Sequence, residues 1–225
     1  MTTNKAAITE GSGLNVATHS ITEDAITKHL QRFVRETTAG AAMGVAGLPD
    51  VVRDDKANRL ILVAGATLTR PANSTPYSIN DSISDNGTAG SVTALTTNDL
   101  SDTNDAPVAL SAVELNSNDT GLGGAVIRLF LFNSNPTTSS GVGAGDNATY
   151  SNKRAGFVGS FSGIMRSFSD GGRGVLVPDE GALLTALPAS GAKNFWYQLQ
   201  TLSAFTPSAN STTFIPTFRG YQGIA

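Results

Sequence analysis

The residues of this chain that could do chemistry are few and scattered. Its only histidines, His19 and His29, lie near the N-terminus, and there is no cysteine. Nucleophilic catalysis needs a nucleophile, a base and an orienting group within hydrogen-bonding reach. Zinc sites draw on Cys and on closely spaced His pairs. Neither requirement is met. Gly159-Ser160-Phe161-Ser162-Gly163 has the outline of a G-x-S-x-G nucleophile elbow, but Phe161 stands where the serine belongs. Asp81, Asp85 and Asn86-Gly87 have the outline of a calcium loop, yet Ile83 occupies a position that needs an oxygen ligand. Asp99, Asp102 and Asp105 form a second acidic loop without a glycine turn. Two glycine runs, Gly121-Leu122-Gly123-Gly124 and Gly141-Val142-Gly143-Ala144-Gly145, lack what a phosphate cradle needs. The first precedes a strand rather than a helix, and the second has no following Lys-Ser/Thr. Both read as flexible hairpin tips. Glycosidases need two positioned carboxylates, and nothing singles out a pair among the 18 acidic residues. The expectation is a protein with no enzymatic activity, no metal and no cofactor.

Composition narrows the class. Charged residues make up 15% of the 225 positions, against roughly 25% in an average soluble domain. A surface so poor in charge and rich in Ser, Thr, Asn and Gly suits a protein packed against neighbours; it suits an exported adhesin as well. The net charge is −3 with a pI near 5.3, and no basic stripe stands out, so nucleic acid is not an expected partner. The longest apolar runs, 60–64 and 126–132 (the latter broken by Arg128), are far too short to span a bilayer. The opening Met1-Thr2-Thr3-Asn4-Lys5-Ala6 has no basic stretch followed by an apolar one, so no cleaved secretory signal is expected.

The elements that must position these residues are strands. From residue 59 onward, short β-branched and aliphatic segments recur at 59–64, 67–71, 77–83, 106–115, 125–132, 155–165, 173–177, 195–202 and 212–218. Turn residues separate most of them. That spacing predicts an all-β sandwich or barrel. One exception is expected at 183–187, where Asp179-Glu180 precede Leu183-Leu184-Thr185-Ala186-Leu187 and a single helical turn fits. Neighbours along a strand face opposite ways, so Trp196 is expected on one face and Phe195 and Tyr197 on the other. That pattern reads as core on one side and interface on the other, in preference to a sugar-stacking platform.

Residues 1–58 read as an extended N-terminal arm and linker, and 59–225 as the β domain. Residues 1–13 are small and polar and bury too little to fold alone. Leu14-Asn15-Val16-Ala17-Thr18 looks extended, Thr22-Glu23-Asp24 starts a short helix or turn, 28–35 is a strand, and 37–49 is a Gly/Ala-rich linker. Such an arm gains contacts by lying on a partner, against the entropy of ordering it. The residues expected to touch that partner are Leu14, Val16, Lys28, His29, Gln31, Arg32 and Phe33.

Several stretches carry a family resemblance. Gly11-Ser12-Gly13-Leu14-Asn15-Val16-Ala17-Thr18, followed by Lys28-His29-Leu30-Gln31-Arg32-Phe33-Val34, resembles the G-x-G-x-x-V-A-T/V-D … H-Y-Q-R/K-V opening of many phage structural proteins. Gly65-Ala66-Thr67-Leu68-Thr69-Arg70-Pro71-Ala72-Asn73-Ser74-Thr75-Pro76-Tyr77 resembles their TRPANTTPY strand and turn. Ala125-Val126-Ile127-Arg128-Leu129-Phe130-Leu131-Phe132-Asn133 is similar to their ARLHLFNAAPT stretch, and the run from Phe195-Trp196-Tyr197 to Phe205-Thr206-Pro207 to LYGLLQTLDAFTPA. Leu30 replaces a common Tyr, and 40–58 looks like an insert. The resemblance is to bacteriophage head decoration, or cement, proteins. It implies a β-sandwich or jelly-roll-like body behind an arm, and a capsid-surface location in the virion after synthesis in the host cytoplasm. It further implies the major capsid protein and neighbouring copies of the chain, as a trimer or dimer, as partners. A tail, neck or glycan-recognising receptor module is the alternative.

Overall fold

The computed structural model of the chain describes residues 59–136, 144–150, 156–208 and 210–222, together with the backbone of three strands nearer the N-terminus. The chain divides into two compact units, Met1–Asp55 and Lys56–Ala225. In the first, β1 (Asn15–Glu23) and β2 (Ile26–Glu36) pair antiparallel, with Val16 opposite Phe33 and Glu23 opposite Ile26. The two-residue β3 (Ala42–Met43) pairs with the end of β2. The strand expected at 28–35 falls within β2. Thr22 and Glu23, read as the start of a helix or turn, instead complete β1.

Among its described residues the second unit is all β apart from one 3-10 turn. Its strands are β4 (Arg59–Ala64), β5 (Leu68–Thr69), β6 (Ser82–Ile83), β7 (Leu95–Thr96), β8 (Val108–Ser117) and β9 (Val126–Phe132). They continue with β10 (Phe157–Phe168), β11 (Gly171–Pro178), β12 (Leu184–Ala186), β13 (Trp196–Thr201) and β14 (Thr213–Gln222). Eight of them form one path in the order β4-β14-β8-β11-β10-β9-β13-β6; β5 pairs with β14, β12 with β8 and β7 with β13. The sheet folds over on itself as a β-sandwich. Tyr197 of β13 meets Phe218 of β14 edge-on across the interior at 6.2 Å. The β4 end of the path also meets the β7 strand beside β13, because the Ala66 amide after β4 donates to the Thr96 carbonyl of β7 at 2.8 Å.

Period-two alternation builds the core. Ile127, Leu129 and Leu131 of β9, Phe161 and Met165 of β10, Tyr197 and Leu199 of β13, and Phe214 and Phe218 of β14 all point inward and are buried. Phe195 and Tyr197 are buried while Trp196 is half-buried, as alternation requires. In β8 the phase slips: Val108 and Leu110 are buried, and so are Val113 and Leu115, three and five residues beyond Leu110. A bulge explains this, since Arg219 lies opposite Ala112 and Gly220 opposite Leu110, leaving Ser111 unpaired. Gly220 is what lets the chains close at that point; a Cβ there would lie 2.1 Å from the Ala109 carbonyl oxygen.

Three expectations fail locally. Residues 77–83 are not a continuous strand. Asn80 adopts φ 71, and the Asp81 carboxylate accepts the Ser78 amide at 2.6 Å, closing a turn that leaves only Ser82 and Ile83 in β6. The helical turn at 183–187 is the strand β12. There β8 extends beyond its pairing with β11, and Leu184 lies opposite Leu110 to fill the vacant side. Gly121-Leu122-Gly123-Gly124 is no flexible hairpin tip either. It carries a 3-10 turn, Thr120–Leu122, between strands that are not sheet neighbours, and Leu122 is fully buried. Of the second glycine run, Gly145 packs so closely on Gly87 that a Cβ would come 2.1 Å from its carbonyl oxygen.

Candidate interaction surface

The outward side chains of the sheet differ sharply between its two ends. On β4, β14, β8, β11 and β10 the outer face is open and carries large apolar residues. Leu60 and Leu62 are 66% and 64% exposed, Ile164 61%, Val175 52% and Val177 55%. Register sets them in rows across the strands. Leu62 lies opposite Arg219 and Arg219 opposite Ala112, while Val175 lies opposite Glu114 and Glu114 opposite Thr217. On β4, β10 and β11 the outward positions thus carry Leu, Ile and Val, beside the Arg219, Glu114 and Thr217 of the strands between, where a solvated face would be polar throughout. Apolar exposure gathered on one face marks a contact surface, whereas scattered single residues do not.

A charged cluster sits in the middle of this face. The Glu114 carboxylate pairs with Arg173 at 2.5 Å and with Arg219, and accepts from Asn116 at 3.2 Å. Burial works against the charge on Glu114. The hydrogen bonds from Arg173 and Asn116, with the two guanidinium charges, outweigh it and hold the carboxyl below its usual range. Arg166, opposite Arg173 in the register, joins them around a surface depression of about 470 Å³ that Ile164 and Phe168 also line. Three arginines around one carboxylate leave the centre of an apolar face positively charged, which suits a partner surface carrying acidic groups.

At β9, β13 and β6 the outer face is covered. Gln198 and Gln200, which point outward from β13, are nonetheless buried. The loops before β6 and around 144–150 lie over them: Tyr150 donates its hydroxyl to Gln198 at 2.9 Å, and Gln200 donates to the Asn80 carbonyl at 3.3 Å. One buried carboxylate ties these loops to the body. Asp146 accepts from Arg70 Nη2 at 3.1 Å, from the Tyr77 hydroxyl at 2.5 Å and from the Ser84 amide at 3.1 Å. Arg70 stacks over the Tyr77 ring, 4.5 Å from its centroid. Burial, then the Asp146 charge, pushes the Tyr77 phenol far above its ordinary pKa, so it stays a donor.

A second carboxylate does the same work at the β8–β9 connection. Asp119 accepts from the Gly121 amide at 2.7 Å, the Ser208 amide at 3.0 Å, the Ser208 hydroxyl and the Thr212 hydroxyl at 3.0 Å. Burial opposes its charge, but these bonds prevail and hold the carboxyl below the usual range.

The residues with chemical potential are used structurally. Asp85 accepts the Thr93 amide at 2.9 Å, and Asp105 accepts the Gly191 amide at 2.8 Å. No three His, Asp or Glu side chains converge on a common point among the described residues. Ser160 and Ser162 flank the buried Phe161 on the outward side of β10, and both donate to Asp179. Alternation along Gly159–Gly163 could have placed both serines on one face; the carboxylate that gathers them comes from after β11 and has no signal in the sequence.

Of the partner-contact residues expected in the arm, Val16 lies on β1, and Lys28, His29, Gln31, Arg32 and Phe33 lie on β2. The register sets Arg32 opposite Ala17 and Gln31 opposite Thr18. Leu14 lies outside the described residues. Sequence reasoning missed the open apolar face altogether. Its signal was present in Arg59-Leu60-Ile61-Leu62-Val63-Ala64, which is apolar on both faces although β4 is an end strand of the path.

Compared with known proteins, the chain matches no family model and no curated relative.

Proposed function

We propose that this chain is a structural, non-enzymatic virion protein that decorates and cements a phage capsid. The observation that carries the reading is the open apolar face of β4, β14, β8, β11 and β10, centred on Glu114 and its arginines. Fully burying each Leu, Ile or Val side chain is worth about 1.5–3 kcal/mol, so five such residues on one face supply the driving force of a stable contact. The major capsid protein is the partner, with neighbouring copies of the chain on the same shell. Low overall charge and the resemblance of the 11–34 and 65–77 stretches to phage decoration proteins support the same reading. The arm hairpin supplies a second contact through Lys28, His29, Gln31, Arg32 and Phe33.

Copy number in purified virions, read by gel densitometry, tests the proposal. A capsid cement is present in hundreds of copies on the order of the number of shell subunits; a tail, neck or receptor-binding component at a few to tens would overturn it. Removing residues 1–35 tests the arm's share. The truncated protein is expected to keep the urea midpoint of the full chain and to lose binding to undecorated heads.

A further inference from the structure

A second surface is concave. On the covered end of the sheet, between β9, β10 and the loops, lies a groove of about 490 Å³. Sites for small ligands fall in the range of about 300–1,000 Å³. Phe130 of β9 forms its base and stacks on Tyr150, with centroids 4.6 Å apart and planes 2° from parallel. Phe157 of β10 stands beside them, 6.1 Å from Phe130 and tilted by 60°. It is 42% exposed, so one aromatic ring is left open to whatever enters. The Tyr150 hydroxyl is already committed to Gln198, so Tyr150 offers its ring.

The polar groups of the groove are arranged around that ring. Gln200 is 6% exposed and lines the groove. Its Nε2 donates to the Asn80 carbonyl, while its Oε1 has no hydrogen-bond partner. A buried acceptor left without a donor is costly and rare, and because Gln200 lines the groove, a turn of its amide toward the opening lets a ligand hydroxyl supply the donor. Arg128 Nε lies 3.1 Å from Asp179 Oδ2, close enough for an ion pair, yet without the angle of a hydrogen bond. Glu180, exposed at the rim, is an acceptor.

We infer that this groove binds a neutral saccharide, the open ring of Phe157 taking the C–H face of a sugar while Gln200, Arg128 and Glu180 bond its hydroxyls. Charge decides against an anion such as a phosphate. Asp179 neutralises Arg128, and Glu180 leaves the groove net negative. The mixture of acceptors and donors around an aromatic surface matches a ligand whose hydroxyls both give and take hydrogen bonds while its ring carbons are apolar. The inference goes beyond the capsid role and does not rest on it.

The test is titration of the full-length protein, free in solution, with a panel of neutral oligosaccharides of glucose, galactose, mannose and N-acetylglucosamine, followed by saturation-transfer NMR and calorimetry. At least one member is expected to bind. Phe157→Ala and Gln200→Met are each expected to weaken that binding by about tenfold or more, with unchanged circular dichroism as the check on folding. Leu62→Lys, on the open face, is expected to leave it unchanged. No binding by any member, or binding that both groove variants retain at full strength, would overturn the inference.

Discussion

The two ends of one sheet treat their outer faces in opposite ways. From β4 to β10 exposed Leu, Ile and Val side chains stand on the outer face among the Glu114 cluster and its polar neighbours; from β9 to β6 the outward Gln198, Gln200 and Phe130 are covered or partly covered by loops. The polar face is mostly tied down within the chain: Gln198 accepts from Tyr150 and Gln200 Nε2 donates to the Asn80 carbonyl, and only Gln200 Oε1 is left without a donor. The apolar face has no covering segment among the described residues. Apolar surface needs only to be removed from water and accepts any apolar partner. Buried amides need donors and acceptors at fixed positions, and loops anchored in the same chain provide them. The difference ties the covered end to the protein's own stability, and under the proposals above it gives the open end to assembly and the groove to a ligand.

The largest effect is expected where the covering loops are anchored. Asp146→Ala leaves the Arg70 guanidinium buried without its counter-charge, and breaking a buried pair this way costs about 3–5 kcal/mol. The urea midpoint should fall accordingly. Tyr77→Phe removes one hydrogen bond to Asp146 and should cost only about 1–2 kcal/mol. The double change Arg70→Met with Asp146→Leu should recover much of the loss, because neither charge is then stranded. A midpoint unchanged in Asp146→Ala would show that the loops cover the face without being held by this pair.

Asp119 gives a smaller effect with a pH signature. Its folded pKa lies below its unfolded value, which is about 3.9 for an aspartate. A depressed carboxylate contributes stability that is complete above the unfolded pKa and is lost as pH falls through the folded one. Asp119→Asn is therefore expected to be less stable than the native protein at neutral pH by about 1–3 kcal/mol, since it strands donors on Ser208 and Thr212. The gap should narrow as the pH drops below about 4. Unfolding curves at neutral and acid pH measure both; a gap independent of pH would show that Asp119 acts by shape alone.

The residues themselves account for what was legible. Val126-Ile127-Arg128-Leu129-Phe130-Leu131-Phe132 and the aromatic run at 195–197 advertise strands, because β-branched and aromatic side chains at period two have no better conformation to adopt. The class of fold and most strand positions follow. The misreadings share a cause. Leu184-Thr185-Ala186 is a strand because β8 had an empty edge, and Tyr77 to Asp81 is a turn because Asp81 folds back on Ser78. In both, a partner distant in sequence or a side-chain bond outweighs local pattern. The site was less legible still. Asp146 gathers Arg70, Tyr77 and Ser84 from more than sixty positions away, and no spacing rule reaches that far. Glu114 reads in sequence as an ordinary outward residue of a strand, and only the register with β11 and β14 reveals the arginines on either side of it.

The smallest change in stability should come from the open face, and this sharpens the comparison most. Leu62→Lys and Val175→Lys place a charge where the side chain already meets water. Exposed substitutions away from special features stay within about 0.5 kcal/mol, so both variants should unfold at nearly the native urea midpoint. Self-association and binding to undecorated heads should nevertheless fall steeply, because a lysine buried at an apolar contact loses its hydration without a partner. The direction of charge separates the two residues. Val175 neighbours Glu114 in the register and lies near Arg173 and Arg166. Val175→Asp should therefore be tolerated better than Val175→Lys if the partner surface is apolar there, and worse if it is acidic. Leu62 lies opposite Arg219, which is already paired with Glu114, so Leu62→Asp and Leu62→Lys should disrupt binding about equally. Sedimentation velocity and head-binding assays on these four variants read the outcome. If all four bind as the native chain does, the apolar rows of β4 and β11 are not the assembly face, and the contrast between the two ends of the sheet loses its functional meaning.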